Sequence, residues 1–504
     1  MSQQFDYVVV GAGSAGCALA SRLSEDPESE VLVLEAGGPD DKEEIHDPAH
    51  FPDLMQSEVD WNYSTTPQPG MAGREEYYPR GKVLGGSSAV NAMMYVRGNS
   101  EDFELWEELG NDGWGWDDML EVYKRMEDYD CPHGDDHLHG TGGPLHVEQE
   151  HPYGRATKAI IEAAVEVGLD RNDNINGEQQ EGVGYIPLSV KDGKRQSAAV
   201  AYLHPALERD NITAETHAHV TEVLFDGTRA TGVAYVQDGT RHEVNADEVI
   251  LSAGAVDTPK ILMLSGVGPA DHLAEHGIDV VTDLPGVGQN LQDHIIASAS
   301  YELTIDPEIT PGEALCQALA FERIDSSLRV PDMQFFLARV YFMRHGFDNP
   351  EDGHGFTPSA CLMHPKSRGS IELASDDPFD DPLIDINYFD EEEDMEAMIR
   401  GLERAREIGH ASALDDIRGE EVWPASEDLE AHVRETSQTN YHPVGTAKMG
   451  DDKMAVVDDR LRVYGVEGLR VADGSIMPEI TTGNTNAPCI AIGERASDFI
   501  RQGE

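Results

Sequence analysis

Residues 5–16 read FDYVVVGAGSAG, a valine-rich apolar run that passes directly into three closely spaced glycines. Such a run predicts a buried strand of a parallel sheet, and the glycines predict a turn into a helix. Gly11 would make the tight turn, Gly13 would let a pyrophosphate approach the backbone, and Gly16 would let the helix pack on the strand. The stretch therefore predicts a dinucleotide-binding fold.

A second strand is predicted at Val31–Leu34, and Glu35 follows it directly. A carboxylate about 20 residues beyond such glycines commonly holds the ribose hydroxyls of a dinucleotide. The N–H groups and the dipole of the intervening helix favour a diphosphate at the start of that helix. These features do not distinguish a nicotinamide dinucleotide from a flavin dinucleotide.

Residues 81–98 read GKVLGGSSAVNAMMYVRG, a second loop of glycines and small residues. Because this loop has little side-chain bulk, its backbone can come close to a large flat group. A tight glycine turn without a ligand is the alternative. The loop gains functional weight from the dinucleotide signature that precedes it.

The chain has 504 residues, which is enough for two large domains or one elaborated domain. It carries 96 acidic and 36 basic residues, a formal net charge of -60, and 39% of it is hydrophobic. We therefore expect a folded protein with an acidic hydrated surface, suited to a cytoplasm at multimolar salt. A surface of this charge argues against nucleic acid as a partner.

Five scattered cysteines without metal-ligand spacing predict reduced thiols in an intracellular protein. The first strand is expected close to Met1, so no signal peptide is predicted, and no apolar run is long enough to span a bilayer. Peripheral contact with a membrane and homo-oligomerisation are left open. A metal ligand set is an alternative for four clustered histidines, but surface histidines explain them better and no metal site is predicted. These histidines are His133, His137, His139 and His146.

Further strands belong to the same predicted parallel sheet. Residues 248–255 predict a strand and a glycine turn, and a helix is expected to begin near Thr258 and Pro259, because proline is tolerated in a first turn. Residues 468–474 predict one more short strand, followed by a turn that carries Asp473. Residues 297–439 have strand-like runs, acidic turns and an acidic helix, and they predict a substrate domain.

Four segments together resemble the glucose–methanol–choline (GMC) oxidoreductases: the first glycine turn, residues 81–98, the run GAVDTPKILMLSGVG at 254–268, and the end of the chain from Tyr441. The likeness spans almost the whole chain and is nearest to the choline and aliphatic alcohol dehydrogenase branch. It implies a flavin adenine dinucleotide (FAD) cofactor and oxidation of a small alcohol. It also implies an α/β fold, in which a discontinuous Rossmann-like FAD-binding domain is joined to an α+β substrate-binding domain built on an antiparallel sheet.

The resemblance divides the chain into three parts. Residues 1–296 would form the FAD-binding domain, with part of the substrate side inserted around residues 150–200. Residues 297–439 would form the substrate-binding domain. Residues 440–504 would return to the FAD-binding domain and carry the catalytic residues.

The resemblance also implies a set of cofactor-binding residues. The first glycine turn and Glu35 would hold the adenosine half and the diphosphate, and the loop at 81–98 would line the flavin. The backbone of Val220 would meet adenine, and Asp473 would lie near the diphosphate and the ribityl chain. Ordinary strand packing is the alternative for Val83 and Val220. The implied set is Gly11, Gly13, Ser14, Gly16, Glu35, Val83, Gly86, Asn91, Val220, Ala253, Asp473 and Asn486.

The chemistry is expected from His442, in the run YHPVGTAKMG at 441–450. Alcohol oxidation requires a group that takes the hydroxyl proton, and a histidine is suited to accept it near neutral pH. The resemblance places Asn484 beside His442, where many relatives carry a second histidine. Because asparagine cannot take the proton, Asn484 would hold the substrate oxygen. Asn486 is the second choice for that role, and helix capping is the alternative for both asparagines.

Two departures from the family pattern refine the expectation. Val90 stands where some relatives attach flavin covalently through a histidine, so noncovalent FAD is predicted. The segment between His294 and Pro331 is shorter than in choline dehydrogenases, which leaves the alcohol itself undecided. A quinone or another carrier is the expected electron acceptor, and oxygen is not excluded by the sequence. A lyase that uses flavin structurally and a flavin-binding protein without catalysis are the alternative functions.

Overall fold

The computed structural model describes residues 4–149, 153–309, 312–344, 350, 353–424 and 426–503. The predicted segment around residues 150–200 and the predicted 297–439 domain each include residues outside these ranges. None of the helices in the described ranges has both the length and the apolar character needed to cross a bilayer.

The strands of the described chain range from short two-residue pairs to the twelve residues of β13. In chain order they are β1 (Gln4–Val10), β2 (Val31–Leu34), β3 (Tyr63–Ser64), β4 (Tyr77–Tyr78), β5 (Glu127–Asp130), β6 (Leu145–Glu148), β7 (Gly182–Tyr185), β8 (Val190–Lys191), β9 (Lys194–Arg195), β10 (Ile212–Glu215), β11 (His219–Asp226), β12 (Arg229–Gln237), β13 (Thr240–Leu251), β14 (Val267–Gly268), β15 (Thr282–Asp283), β16 (Ile295–Ser298), β17 (Ser300–Leu303), β18 (Cys316–Glu322), β19 (Met333–Ala338), β20 (His354–Leu362), β21 (Ser370–Glu372), β22 (Leu383–Asp385), β23 (Arg418–Trp423), β24 (Gln438–Thr439) and β25 (Leu469–Val471).

The helices vary from single turns to the long α9 and α11. They are α1 (Ser14–Leu23), α2 (Glu43–His46), α3 (Ser100–Glu108), α4 (Trp116–Met126), α5 (Arg155–Glu166), α6 (His204–Ala206), α7 (Gly254–Leu264), α8 (Ala270–Glu275), α9 (Glu392–His410), α10 (Leu429–Thr436) and α11 (Asn486–Gln502).

The first strand lies in the middle of a seven-stranded sheet with the order β10-β2-β1-β13-β12-β11, in which β25 also pairs with β13. Strands β10, β2, β1, β13 and β25 run parallel, whereas β12 and β11 are antiparallel. Val8 and Val9 point to opposite faces of this sheet and are both fully buried, so both faces are covered. Gly11, Glu35 and Asp473 each follow a parallel strand, so all three lie at the carboxyl-terminal ends of the strands.

A second sheet has eight strands in the order β23-β17-β20-β19-β18-β7, and β16 joins it by pairing with β20 and β24. All its pairs are antiparallel. Phe335 and Ala360 of this sheet share an apolar core with Met398 and Leu402 of α9 and Ile160 of α5. The predicted mixed α/β class is therefore confirmed, while the division into domains stays a prediction.

The start of α7 differs from the sequence expectation. The helix begins at Gly254, so Pro259 lies inside it rather than in its first turn. Proline has no N–H to donate to the carbonyl four residues earlier, which is that of Ala255. The Thr446 hydroxyl donates to this Ala255 carbonyl at 2.7 Å. An internal proline is therefore tolerated because a side chain from the C-terminal segment satisfies the carbonyl that it leaves open.

Candidate active site

One cavity of about 740 Å³ reaches from the edge of the parallel sheet to His442. Its wall brings together residues that are hundreds of positions apart in the chain. The predicted site residues that line it are Gly11, Gly13, Ser14, Glu35, Gly86, Asn91, Val220, Ala253, Asp473, His442, Asn484 and Asn486.

Gly16 and Val83 are not part of the cavity wall. A Cβ on Gly16 would lie 2.0 Å from the carbonyl oxygen of Gly11, so Gly16 permits close packing of α1 on the turn, as predicted. Val83 is fully buried in a small apolar cluster with Ile45 and Leu54. Burial of this side chain anchors the start of the glycine-rich loop.

Two helices begin at the same place on the cavity wall. The Ser14 hydroxyl, at the first residue of α1, donates to Asn486 Oδ1, at the first residue of α11, at 2.8 Å. The first-turn N–H groups of both helices have no partner within their own helix, and each helix dipole favours negative charge there. Neither Asn484 nor Asn486 caps α11 with its side chain, because Thr485 holds that position without a side-chain hydrogen bond. The arrangement suits a diphosphate.

Glu35 is buried beside the first glycine turn. Its carboxylate accepts from the backbone N–H of Ala12 at 2.9 Å and from that of Gly37 at 2.8 Å. Burial nevertheless raises the pKa of Glu35 to about 7, because two backbone donors offset only part of the lost hydration. A carboxyl group on this wall can accept hydrogen bonds from the hydroxyls of a ribose.

Asp473 is held at the start of α7. Its Oδ2 accepts from the Gly254 N–H at 2.8 Å and from the Thr258 hydroxyl at 2.6 Å, and its Oδ1 accepts from the Ser475 N–H at 2.8 Å. Ala253, the residue that precedes α7, also lines the cavity. Asp473 is therefore a fixed acceptor on the cavity wall.

The glycine-rich loop closes another wall. Gly86 has a φ of +52°, and a Cβ there would lie 2.7 Å from the Cα of Gly13. The loop is held in place by Arg195, whose Nη1 donates to the Asn91 carbonyl at 2.6 Å and to Asn91 Oδ1 at 2.8 Å. Arg195 is 1% exposed, and burial lowers its pKa to about 9. Asn91 is thus oriented by a buried guanidinium, and Val90 beside it lines the cavity.

The part of the cavity wall that contains Val220 is aromatic. Val220 lies there beside His219, whose ring centre is 5.7 Å from that of Trp61. The Lys82 ammonium lies 4.2 Å from the centre of the Trp61 ring. Burial, together with Lys260 and Lys82, lowers the pKa of His219 to about 4, so this ring is neutral at ordinary pH. Flat uncharged rings of this kind suit an aromatic base.

His442 pairs with a second histidine. Its Nδ1 lies 2.8 Å from Nδ1 of His294, and His294 Nε2 lies 2.9 Å from the Met363 carbonyl oxygen. A carbonyl only accepts, so His294 carries its hydrogen on Nε2 and accepts at Nδ1. His442 must then donate from Nδ1, which leaves a lone pair on its Nε2.

Both histidines are neutral. Burial lowers the pKa of His294 to about 3, and burial lowers the pKa of His442 well below 6.5, with His294 and Arg80 acting in the same direction. A neutral His294 cannot donate from both nitrogens, so the Asn440 Nδ2 at 3.4 Å from His442 Nδ1 does not change the assignment. His442 therefore presents an unprotonated Nε2.

Asn484 lies beside His442 on the cavity wall. Gln334 Nε2 donates to Asn484 Oδ1 at 3.1 Å, which turns the amide nitrogen of Asn484 toward His442 Nε2 at 3.3 Å. Gln334 itself is fully buried. The side chains of His442 and Asn484, which the resemblance places side by side, thus lie 3.3 Å apart on the cavity wall.

The amino-acid sequence alone does not indicate the roles of His294, Arg195 and Gln334. His294 follows Asp293 just before β16, but nothing local indicates that it meets a ring 148 positions later. The run GKRQS does not indicate the role of Arg195, since its carbonyl partners are Ile45 in α2 and Asn91 in the glycine-rich loop. These contacts depend on tertiary structure.

The four clustered histidines do not converge. His139 bonds to Arg97 and stacks on Tyr129 with ring centres 3.8 Å apart, while His146 lies between Asp128 and Glu148. No group of metal-ligating side chains is found in the described part of the chain.

Comparison with known proteins identifies the family. Residues 5–296 and residues 365–493 match models described as GMC oxidoreductase. The chain is 40% identical to the alcohol dehydrogenase (acceptor) of Pseudomonas putida, over 98% of this chain and 95% of that protein. It is 42% identical to the oxygen-dependent choline dehydrogenase of Sinorhizobium fredii, over 99% of this chain and 95% of the other.

Solved structures also resemble this chain over nearly its whole length. Pyridoxine 4-oxidase from Mesorbium loti matches with a TM-score of 0.94 and 35% identity, over 99% of both chains. A formate oxidase of Aspergillus oryzae, described for the modification of its FAD, matches with a TM-score of 0.94 and 29% identity, over 100% of this chain and 99% of the other.

Proposed function

This chain belongs to the GMC oxidoreductase family and is an FAD-dependent enzyme that oxidises an alcohol, and from that premise we propose that His442 and Asn484 perform the oxidation of a primary alcohol to an aldehyde. The observation that carries the proposal is the unprotonated Nε2 of His442, which lies in the cavity next to the amide of Asn484.

FAD fits the chemistry of the cavity wall. Two helix starts meet at the Ser14–Asn486 hydrogen bond, where a diphosphate would lie. Glycines leave room along that wall, because a Cβ on Gly86 would touch Gly13. We propose that Glu35 holds the ribose, that Val220 meets adenine, and that Asp473 and Asn91 border the ribityl chain and the flavin. The cofactor is held without a covalent link at Val90.

We propose a matching division of the chain. Residues 1–296, with a segment around 150–200 that contributes to the substrate side, and residues 440–504 would form a Rossmann-like FAD-binding domain around the parallel sheet. Residues 297–439 would form the substrate-binding domain on the antiparallel sheet. The position of β7 in the second sheet supports the assignment of the 150–200 segment.

His442 acts as the base. Its Nε2 lone pair accepts the hydroxyl proton of the alcohol while its Nδ1–H is held by His294. The His294 ring in turn is fixed by the Met363 carbonyl, so the base keeps one tautomer and one orientation. When bound, FAD supplies the acceptor for the hydride that leaves the alcohol carbon.

Asn484 positions the alcohol. Its amide nitrogen lies 3.3 Å from His442 Nε2 and carries two hydrogens. When the alcohol hydroxyl takes the Nε2 lone pair, these hydrogens are donors that the substrate oxygen can accept. Because Gln334 fixes the amide orientation, the donor does not need to reorganise when negative charge develops on that oxygen.

The proposed function is tested by following the flavin spectrum of the purified protein without oxygen in high salt. Addition of primary alcohols, choline among them, is expected to bleach the flavin bands, and the alcohol that does so identifies the substrate. A bound flavin that dithionite reduces but no alcohol reduces would contradict the proposal. Reoxidation by quinones and by oxygen then tests our further proposal that a quinone or another carrier is the acceptor.

The lowered pKa of His442 predicts the acid side of the pH profile. The base is active when it is neutral, and a pKa well below 6.5 keeps it neutral in mildly acidic solution. We therefore expect kcat/KM for the alcohol to fall only below pH 6.5, with a midpoint lower than that of a free histidine. A midpoint near pH 7.5 would show that the buried His294–His442 pair does not set the protonation of the base.

We also propose that this enzyme works in a cytoplasm at multimolar salt. The net charge of -60 repels itself, and salt shortens the range of that repulsion from about 10 Å at 0.1 M to about 3 Å at 1 M. Dilution from about 3 M to about 0.2 M KCl is therefore expected to lower the thermal midpoint measured by circular dichroism. Sucrose at equal osmolality serves as the control, since it leaves charges unscreened. A midpoint that is indifferent to salt would refute the proposal.

A further inference from the structure

Each catalytic side chain follows a residue with left-handed backbone. Tyr441, directly before His442, has a φ of +66°, and Gly483, directly before Asn484, has a φ of +115°. A bulky residue such as tyrosine rarely adopts this conformation, and it persists only where the surroundings impose it. The surroundings must therefore hold the turn at Tyr441, whereas Gly483 adopts its positive φ without strain.

A buried carboxylate holds the first turn. Asp293 is 1% exposed, and its Oδ1 accepts from the His442 N–H at 2.7 Å. Its Oδ2 accepts from the hydroxyl of Thr439 at 2.6 Å, and that same hydroxyl accepts from the Tyr441 N–H at 2.7 Å. Asp293 thus binds the turn directly at the His442 N–H and, through the Thr439 hydroxyl, at the Tyr441 N–H.

Two further hydroxyls fix this carboxylate. Tyr78 donates to Asp293 Oδ2 at 2.8 Å and Tyr388 donates to it at 2.6 Å. These tyrosines belong to segments that are remote in sequence from the turn, so Asp293 links it to the rigid parts of the fold. A buried charge is costly unless every lone pair is satisfied, and here the protein supplies four donors.

A second buried carboxylate holds the other turn. Asp102 is 4% exposed, and its Oδ2 accepts from the Thr482 N–H at 2.6 Å, next to Gly483. Its Oδ1 accepts from the Thr482 hydroxyl at 2.8 Å. A Cβ on Gly483 would lie 2.6 Å from a methyl group of Val96, so only glycine fits this left-handed position.

We propose that Asp293 and Asp102 are positioning residues for the oxidation, each of which holds one left-handed turn and thereby sets the place of one catalytic side chain: Asp293 for His442 and Asp102 for Asn484. Neither carboxylate lines the cavity, so both act through the backbone. The inference rests on the proposed function, because it assigns the two turns to a reaction that His442 and Asn484 perform.

The test measures the rate of flavin reduction by the alcohol in rapid-mixing experiments on the FAD-loaded enzyme. Asp293→Asn keeps the size of the side chain but replaces the acceptor Oδ2 by a donor. We expect this variant to lower the rate at saturating alcohol by about 100-fold, because a displacement of about 1 Å has an effect of that size. The dissociation constant of the alcohol is expected to change by less than about threefold. Asp102→Asn is expected to lower the rate by about tenfold or more.

A matched control separates positioning from stability. Asp394 is 3% exposed and accepts from the N–H groups of Lys366 and Ser367 at 2.8 Å each, away from both catalytic turns. Asp394→Asn removes the same kind of buried carboxylate and is expected to keep the wild-type rate. A rate of Asp293→Asn within about threefold of that control would overturn the proposal.

A second set of variants addresses the turn directly. Thr439→Val removes the hydroxyl between Asp293 and Tyr441 and is expected to slow reduction as Asp293→Asn does, whereas Thr439→Ser is expected to retain the rate. Glycine tolerates a positive φ, so the loss caused by Asp293→Asn is expected to shrink at least threefold in a Tyr441→Gly background. An unchanged loss in that background would overturn the proposal, as would equal rates for Thr439→Val and Thr439→Ser.

Comparison with His442→Ala distinguishes failure of the positioning role from failure of the proposed function. If His442→Ala reduces flavin as fast as the wild type, the proposed function fails. If His442→Ala is inactive while Asp293→Asn and Asp102→Asn remain fully active, only the positioning role fails.

Discussion

Replacing His442 by alanine is expected to lower the rate of alcohol-dependent flavin reduction by about 1,000-fold, within the range known for loss of a general base. The variant is expected to keep its cofactor, because His442 takes no part in the hydrogen bonds that hold Glu35, Ser14 and Asp473 on the cavity wall. Asn484 cannot replace the base in His442→Ala, since its amide nitrogen can only donate. Rapid mixing with the alcohol identified by flavin bleaching measures the effect.

The control for His442→Ala is His146→Ala. Both histidines are 9% exposed, and His146 lies outside the cavity between two carboxylates. We expect the control to reduce flavin at the wild-type rate. Dithionite reduction of both variants verifies that FAD is bound. Turnover by His442→Ala within a factor of about ten of the wild type would show that another group removes the proton.

Replacing Gly16 by valine is expected to prevent FAD binding and to destabilise the fold by about 4 kcal/mol or more, the range reached when a core is overpacked against backbone. The new Cβ would lie 2.0 Å from the Gly11 carbonyl oxygen and 3.2 Å from the Cβ of Ser252. Because the first contact is with backbone, α1 would have to move away from the turn. Flavin content and denaturant unfolding of the purified protein measure both effects.

Gly154→Val is the matched control for this substitution. Gly154 precedes α5, and the nearest atom to a Cβ there is 3.6 Å away, an ordinary contact. Its φ of -67° is open to any residue. We expect this variant to retain FAD and to lose at most about 1 kcal/mol, the usual cost of a poorer residue before a helix. Normal flavin content in Gly16→Val would contradict the close packing of α1.

The elements that are encoded locally could be predicted from sequence. The run at 5–16 predicted β1, its turn and α1, and the apolar residues 31–34 predicted β2, because pattern and glycine spacing act within a few residues. The C-terminal motif placed His442 and Asn484 together only through the family resemblance. Their separation of 3.3 Å between Nε2 and Nδ2 agrees with that placement.

Contacts that depend on topology could not be predicted. The order of the antiparallel sheet brings β7 beside β18, although more than a hundred residues separate them, and no local pattern encodes that pairing. Likewise, the predicted start of α7 was wrong by about one turn. The sequence near Pro259 does not show that the Thr446 hydroxyl satisfies the Ala255 carbonyl. The tautomer of His442 depends in the same way on His294 and Met363, which belong to other elements.

The hydrogen bond between Ser14 and Asn486 joins positions 472 residues apart in the chain. Ribosomes add about 5–20 residues per second. Ser14 is therefore made on the order of a minute before Asn486. The nascent chain carries only one of the two helix starts of the proposed diphosphate site while the intervening residues are made. Binding of the cofactor diphosphate at the proposed site is therefore expected only after Asn486 has emerged, rather than during the early steps of folding.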